Sequence, residues 1–339
     1  MFWYSNQRQI RPFTHGSSKS TPERPQCIVS LGGPESLLSF LFCALTTFYL
    51  FYSWGVHTTE GMYSLIDGLA EVPHLERLYL HFYFTNPDKL QLTGLIPLRR
   101  FPALRQLSIQ GNSTLIRLFD DFVQQLRHMH HTTPSFTRLE LAISMSYDTA
   151  HLYPLDYLHE IVQDVPKRSP LKLQILRVDG WNLKLDSTTL PHLKFLTSLH
   201  ICQMQKQCDV PEVWDRLNGA RIHLEDIVTQ DTSPQLVNYL KSYSGLKRFE
   251  LRGKNIRRTR IGLAETYADI YHVVLPMHKD SLVFLKLLER RSIHACIHAE
   301  HIPLISLCKR LSLLSVTVRS EDINDTNSLV GVSALNSSW

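Results

Sequence analysis

The side chains best placed to do chemistry are charged or aromatic residues spaced two apart in leucine-rich segments. Alternate residues of a strand face opposite sides, so these side chains share the face turned away from the leucines. Eight of them are candidate binding residues: Arg77, Tyr79, Arg138, Glu140, Arg177, His200, Arg248 and Glu250. Arginine binds carboxylates and phosphates through paired hydrogen bonds, and arginine and tyrosine are common interface anchors. The set predicts a face that binds an acidic or phosphorylated protein segment. The alternative is a solvated face whose arginines pair with Glu140 and Glu250.

Catalysis and metal binding have little support. The sequence contains no Gly-x-Gly-x-x-Gly, P-loop or His-Glu-x-x-His motif, and no serine in a nucleophile-elbow context. The best metal candidate is His294-Ala-Cys296-Ile-His298-Ala-Glu300-His301. Zinc needs about four ligands, and no matching pair is evident elsewhere, so we interpret this segment as a polar turn. We expect no enzymatic activity, no cofactor and no metal site.

The elements that must position the eight residues are repeats of Leu-x-x-Leu-x-Leu. The second leucine-type position falls at residues 78, 107, 139, 176, 199, 249, 285 and 314. The intervals range from 23 residues (176 to 199) to 50 residues (199 to 249), and the longest has room for a degenerate unit at Ile222-His-Leu224-Glu-Asp-Ile227. The remaining outward positions of these segments are Gln106, Ser108, Ile175, Ser198, Phe284 and Lys286. Such repetition is typical of a solenoid, which offers broad binding surfaces.

The segments between the predicted strands have helical periodicity. Apolar residues recur at helical spacing in 115–129 and 157–165, and Ser233-Pro234 has the composition of a helix start before 235–243. Further helices are predicted over 266–275 and 303–311. Strands that alternate with helices favour a parallel sheet. The predicted fold is therefore α/β, an irregular leucine-rich-repeat-like solenoid with a parallel concave sheet and outer helices.

The chain resembles the leucine-rich-repeat-like C-terminal regions of F-box-like proteins that are common in mushroom-forming fungi. The resemblance is carried by Val210-Pro211-Glu-Val-Trp214, by Tyr243-Ser-Gly245-Leu246 leading into a strand, and by Leu275-Pro276-Met-His278-Lys-Asp-Ser281-Leu282. It covers about residues 70–320. It implies a protein-binding receptor of the kind that delivers targets to a Skp–cullin ubiquitin ligase.

The F-box itself is not found in this sequence. That helical module usually lies near the N-terminus and begins Leu-Pro-x-Glu, whereas the Pro34-Glu35 pair stands in another context. Recruitment of a Skp-type adaptor is therefore not carried over. Two function classes remain: an F-box-like recognition scaffold, and a single-pass membrane protein with leucine-rich repeats and no ligase role.

The second class depends on residues 37–56. No charge occurs between Glu35 and Glu60, and about 20 apolar residues suffice to cross a bilayer. Basic residues precede the segment and acidic residues follow it, which favours a cytoplasmic N-terminus for a span. The alternatives are a buried helix that caps the first repeat, or an incorrect gene start. The location stays open between a membrane and the cytosol, and the six cysteines, which lack framework spacing, favour a reducing compartment.

The predicted organisation has four parts. They are a disordered polar and basic leader over 1–36, the hydrophobic helix over 37–56, the repeat domain over 57–320 and a disordered tail over 321–339. The net charge of +5 is small for 339 residues and spread along the chain. A nucleic-acid interface would need a basic face with stacking aromatics, and neither is visible in the sequence. We therefore expect a protein partner and no nucleic acid.

Overall fold

The structure is a computed structural model that describes twelve stretches of the chain. They are residues 26–31, 46–54, 67–84, 98–112, 123–127, 136–144, 157–168, 170–180, 182–202, 209–252, 263–288 and 296–318. The chain forms two compact units, Met1–Thr149 and Ala150–Trp339.

The first unit is built on parallel strands in chain order. The strands are β1 (Gln26–Leu31), β2 (Thr47–Trp54), β3 (Arg77–Phe84), β4 (Gln106–Asn112) and β5 (Arg138–Ser144). Each strand pairs in parallel with the next one in the sequence. Short helical segments at 67–70 and 123–127 and a 3₁₀ turn at Leu98–Arg100 lie between strands.

The second unit repeats this arrangement with one change at its end. Its strands are β6 (Ile175–Asp179), β7 (Ser198–Cys202), β8 (Asp226–Thr229), β9 (Arg248–Arg252), β10 (Phe284–Leu288), β11 (Cys296–Ile297) and β12 (Leu313–Val318). All are parallel, and β12 lies between β10 and β11. Strand β8 is the degenerate unit predicted in the longest interval, and that prediction is confirmed.

Helices connect the strands of the second unit. They are α1 (Tyr157–Val162), α2 (Val210–Gly219), α3 (Pro234–Lys241), α4 (Leu263–Asp269), a π-helical segment (Ile270–Val274), α5 (Leu275–His278) and α6 (Ile302–Ser306). Two 3₁₀ turns, Leu190–Leu193 and Ala299–His301, complete the set. The predicted α/β class with parallel strands is confirmed.

Local sequence explains where the best-defined helices begin. The carboxylate of Asp209 accepts the N–H of Glu212 at the start of α2, and the hydroxyl of Ser233 accepts the N–H of Leu236 at the start of α3. A proline follows each cap in the first turn, where its missing N–H costs nothing. Gly245, with φ +113°, lies in the turn that leads from α3 into β9, a conformation that favours glycine.

The strand entries share one hydrogen-bond pattern. Just before or at the start of eight strands, two consecutive N–H groups donate to a single carbonyl that precedes the neighbouring strand, at 2.7–3.2 Å. The acceptor carbonyls belong to Thr46, Glu76 and Arg105 in the first unit, and to Gln174, Thr197, Glu225, Lys247 and Val283 in the second. The motif leucines lie in register and buried; Leu199, Ile227, Phe249 and Leu285, for example, are each at most 1% exposed. The core of each unit is therefore made of columns of like residues.

The prediction of a hydrophobic helix over 37–56 is wrong in its described part, because Thr47–Trp54 form strand β2. The segment is rich in aromatic residues, which favour strands, and a strand inside a parallel sheet reads as a continuous apolar run. Phe48 and Leu50 are buried, and β2 pairs with strands on both sides. Among the described residues, no helix is both long and apolar enough to cross a membrane.

The predicted disordered leader over 1–36 is wrong at Gln26–Leu31, which form β1 and pair with β2. The β-branched pair Ile28-Val29 favours this conformation. The parallel array therefore begins before residue 57, where the repeat domain was predicted to start. The tail predicted over 321–339 lies outside the described residues.

Candidate functional site

The strand register of the second unit places four of the eight predicted residues on one face. The first outward row contains Ile175, Ser198, Asp226, Arg248, Phe284 and Leu313, and the second contains Arg177, His200, Val228, Glu250, Lys286 and Ser315. Predicted residues Arg177, His200 and Glu250 thus share a row, with Arg248 in the row beside it. We call this side of β6–β10 and β12 the strand face.

Glu250 is the centre of the strand face. Three cationic side chains converge on its carboxylate, which is only 2% exposed. The distances are 2.7 Å from Arg248 Nη2 to Oε2, 2.8 Å from Arg252 Nε to Oε1 and 2.9 Å from Lys286 Nζ to Oε1. Burial alone would raise the pKa of Glu250, but the hydrogen bonds from Arg252, Lys286 and Arg248 outweigh it and lower the pKa to about 2. The carboxylate is therefore ionised throughout the physiological range.

Arg248 joins this centre to the next strand and to an aromatic ring. Its Nε lies 3.4 Å from Oδ1 of Asp226, and its guanidinium carbon lies 4.1 Å from the centre of the Phe284 ring. Arg248 Nε and Asp226 Oδ1 are buried, and neither forms a hydrogen bond in the part of the chain that the structure describes. The guanidinium is thus held by two carboxylates and a cation–π contact, without full hydrogen bonding.

The Asp226 carboxylate also contacts a serine and a histidine. Its Oδ2 accepts a hydrogen bond from Ser198 Oγ at 3.0 Å and lies 3.3 Å from His200 Nε2, while Ser198 Oγ lies 3.3 Å from the same nitrogen. A serine–histidine–aspartate relay needs the carboxylate on one imidazole nitrogen and the hydroxyl on the other. Here both contact Nε2, so the three residues form a polar cluster without relay geometry.

Arg177 and Asp179 form a pair at the carboxyl end of β6. Oδ2 of Asp179 lies 2.8 Å from Nε and 2.6 Å from Nη2 of Arg177. Its Oδ1 is buried and accepts no hydrogen bond from the described residues. Cys202, in register with Asp179, lies 3.9 Å from Arg252 Nη1, and burial together with the nearby Asp179 raises the pKa of its thiol to about 12. The thiol therefore stays protonated and is a poor nucleophile.

The charges of the strand face are layered by depth. The Glu250 carboxylate is buried, whereas Arg248 and Arg252 are 38% and 40% exposed and Lys286 is 29% exposed. Around Glu250, three cationic side chains face two carboxylates, those of Glu250 and Asp226, which leaves a surplus of one positive charge. A molecule that approaches the strand face therefore meets cations first.

The other four predicted residues lie in the first unit. Arg77 and Arg138 flank Gln106 in register, and Tyr79 and Glu140 flank Ser108. The Tyr79 ring stacks on Tyr49 at 4.4 Å between centroids, and its hydroxyl donates to Gln106 Oε1 at 3.0 Å. Arg138 donates to the buried Glu140 carboxylate, with Nε 2.8 Å from Oε1. This surface carries stacked tyrosines, whereas the strand face of the second unit carries a cluster of cations.

The histidine-rich segment considered for a metal forms an aromatic stack. His301 lies face to face with Tyr271 at 3.9 Å and edge to face with His272 and His298. Burial lowers the pKa of His301, and its Nδ1 accepts the N–H of His298. The described residues contain no group of three or more His, Cys, Asp or Glu side chains that could hold a metal ion. His294 lies outside the described residues.

Sequence reasoning missed three charged members of the strand face, Asp179, Asp226 and Arg252. Arg252 and Asp179 occupy the third outward position, two residues after Glu250 and Arg177, so one more step of strand alternation finds them. Asp226 lies in the degenerate unit that lacks a full leucine motif. Its strand register with Arg248 was the missing information.

Comparison with known proteins gives no family for this chain. No protein-family model matches the sequence, and no curated protein matches it. The function is therefore argued from the geometry of the strand face.

Proposed function

We propose that this chain is a non-catalytic, leucine-rich-repeat-like solenoid scaffold that binds a protein partner on its concave strand face. The observation that carries the proposal is the Glu250 centre, where exposed cations lie over a buried carboxylate. This arrangement holds guanidinium and ammonium groups in place before a partner arrives. Pre-ordered side chains lose less entropy on binding. The expected ligand is an acidic or phosphorylated segment of a partner protein.

The repeat architecture supports the solenoid part of the proposal. Each sequence repeat contributes one parallel strand. The pattern in which two N–H groups donate to one carbonyl recurs at the start of eight strands. The first leucine-type residue of each motif is buried, as Leu196, Leu246 and Leu282 illustrate. Solenoid repeats are defined by this property: each repeat buries its apolar side only against the neighbouring repeats.

The arginines of the strand face are already paired with carboxylates, so a partner would bind their remaining N–H donors rather than unpaired charges. Arg177, Arg248 and Arg252 each contact a carboxylate of the chain itself, so the alternative of a solvated, self-paired face is partly met. A guanidinium nevertheless has five N–H donors, more than these contacts use. A partner carboxylate can bind the outer donors without displacing the inner pair. The proposal covers binding alone, since the sequence offers no F-box for an adaptor.

The test uses a photo-crosslinking amino acid placed in the full-length chain. One version carries it at Ser315 on the strand face, and a matched control carries it at Asp215 on the exposed side of α2. After irradiation in the cells that produce the protein, we expect partner adducts from position 315 and none from position 215. Adducts from position 215 alone would show that another surface binds.

Charge variants make the test specific. Glu250→Gln with Arg252→Gln and Lys286→Gln removes the surplus charge while keeping hydrogen-bonding groups, and should abolish the adducts. The matched control, Arg216→Gln with Glu212→Gln, neutralises a balanced pair on the exposed side of α2 and should retain them. Undiminished adducts in the triple variant, with circular dichroism showing it folded, would refute binding through the Glu250 centre.

A further inference from the structure

An apolar pair lies directly beside the cationic centre. Phe284 and Leu313 are register partners in the first outward row of β10 and β12. Leu313 is 44% exposed, one of the few large apolar side chains to be so exposed among the described residues. Lys286 follows Phe284 by two residues on the same strand, so its side chain lies on the same face. An apolar spot and a cluster of cations thus adjoin each other.

The charge of the centre indicates which anion fits. The surplus around Glu250 and Asp226 is one positive charge. A single carboxylate neutralises that surplus, whereas a phosphoryl group, with about −1.5 to −2 charges at pH 7, exceeds it. Overcharging a partly buried site disfavours binding, because uncompensated charge there is poorly solvated. The arithmetic favours an aspartate or glutamate side chain over a phosphorylated residue.

The strand geometry sets the spacing between the two contacts. Successive rows on one face are separated by two residues of a strand, about 6.6–6.8 Å. An extended peptide has the same repeat, so its side chains at positions i and i+2 match the rows of Phe284 and Lys286. Both orders of the two side chains fit, since a peptide can run parallel or antiparallel to β10.

We propose, as an extension that rests on the proposed function, that the partner segment is extended and carries an apolar residue two positions from an aspartate or glutamate. The apolar side chain contacts Leu313 and Phe284. The carboxylate binds Lys286 Nζ and the outer guanidinium nitrogens of Arg252, above the buried Glu250. Arg248, whose guanidinium lies over the Phe284 ring, is beside the apolar contact.

The test measures binding of fluorescein-labelled nine-residue peptides to the full-length chain by fluorescence anisotropy. The peptides are degenerate except for a central Leu-x-Glu or Glu-x-Leu, and matched sets replace glutamate by glutamine, glutamate by phosphoserine, or leucine by alanine. We expect glutamate peptides of one order to bind about tenfold more tightly than their glutamine and alanine counterparts, and no less tightly than phosphoserine peptides. Tighter binding of phosphoserine peptides, or equal binding of all sets, would overturn the inference.

Two variants locate the contacts. Leu313→Ser changes an exposed side chain and should remove the preference for leucine over alanine while keeping that for glutamate over glutamine. Lys286→Gln should remove the preference for glutamate over glutamine while keeping that for leucine over alanine. Arg216→Gln with Glu212→Gln, the exposed pair on α2, is again the matched control and should change neither preference. If Leu313→Ser leaves the leucine preference intact, the apolar contact lies elsewhere and the inference is wrong.

The outcome separates this inference from the proposed function. Position-315 crosslinks that depend on the Glu250 centre, together with peptides that show no preference, would reject the motif and leave the scaffold function standing. If neither the position-315 crosslinks nor the peptide preference is observed, both the motif and the scaffold function are rejected. A preference for glutamate over glutamine that survives in the triple glutamine variant would likewise reject the assigned contacts.

Discussion

The Tyr239 hydroxyl bridges two buried backbone groups, and its removal offers a sharp test of how the second unit is held together. The hydroxyl accepts the N–H of Leu224 at 3.0 Å and donates to the carbonyl of Ile222 at 2.8 Å. Both groups lie in the turn between α2 and β8, and the tyrosine is fully buried. In Tyr239→Phe both lose their partner without access to water.

The expected cost follows from the two unpaired groups. A buried donor or acceptor left unpaired costs about 1–3 kcal/mol, so with two such groups Tyr239→Phe should lower the free energy of unfolding of this unit by roughly 2–6 kcal/mol. Tyr243→Phe is the matched control, because the one described backbone group that its hydroxyl contacts is the Leu224 carbonyl, at 2.8 Å. That variant should cost about half as much.

Native-state hydrogen exchange is the suitable assay, since a chain of two units need not unfold in one step. At about 1.4 kcal/mol per tenfold change, Tyr239→Phe should accelerate exchange of the slowest amides in β8 and β9 by roughly 30-fold to about ten-thousand-fold. The Leu224 amide should be accelerated at least as much. Acceleration equal to that of Tyr243→Phe, within about twofold, would refute the idea that the hydroxyl satisfies both groups.

Three further predictions concern charge. Burial lowers the pKa of His278, whose Nδ1 accepts the Leu246 N–H, so the unfolded state binds the proton more readily. The free energy of unfolding should be highest above pH 6.5 and fall as the pH drops below it. Urea titrations at pH 7.5 and 5.5 should therefore give a smaller difference in the free energy of unfolding for His278→Gln than for the unchanged protein. Because its pKa is lowered to about 2, the ionised Glu250 carboxylate stabilises the fold above pH 4.5, and this contribution is lost as the pH falls toward 2. Glu250→Gln should therefore weaken the dependence of the free energy of unfolding on pH below 4.5. It should also lower that free energy by roughly 2–3 kcal/mol at pH 7. Arg216→Ala removes an exposed i,i+4 pair with Glu212, and thermal unfolding should report a change below about 0.5 kcal/mol.

The repeat pattern was readable from sequence because burial in a parallel array is periodic. The alternation that buries Leu199 and Ile201 is the same alternation that leaves His200 partly exposed, so outward residues could be assigned without coordinates. The unit around Ile227 was found from an interval that was too long. Strand β2 was misread as a helix because a long apolar run is common to buried strands and membrane helices.

The candidate site was only partly readable, because it depends on contacts between distant strands. The Glu250 centre joins Lys286 to Arg252, and Arg248 to Asp226, and no local pattern states which side chains converge. Charge at an outward position indicates exposure, yet Glu250 is buried beneath its neighbours. Depth within a row is a property of packing, and sequence spacing carries no information about it.

The strand order has a consequence for biosynthesis. From β1 to β5, and again from β6 to β10, each strand pairs with the one made just before it, so the sheet of each unit can grow in the order of translation. None of these ten described strands has to wait for a distant partner. Strand β12 is different, since it lies between β10 and the earlier-made β11. Strand β11 is therefore synthesised before β12, the strand that it pairs with in the described fold, and the edge of β10 that pairs with β12 is covered last.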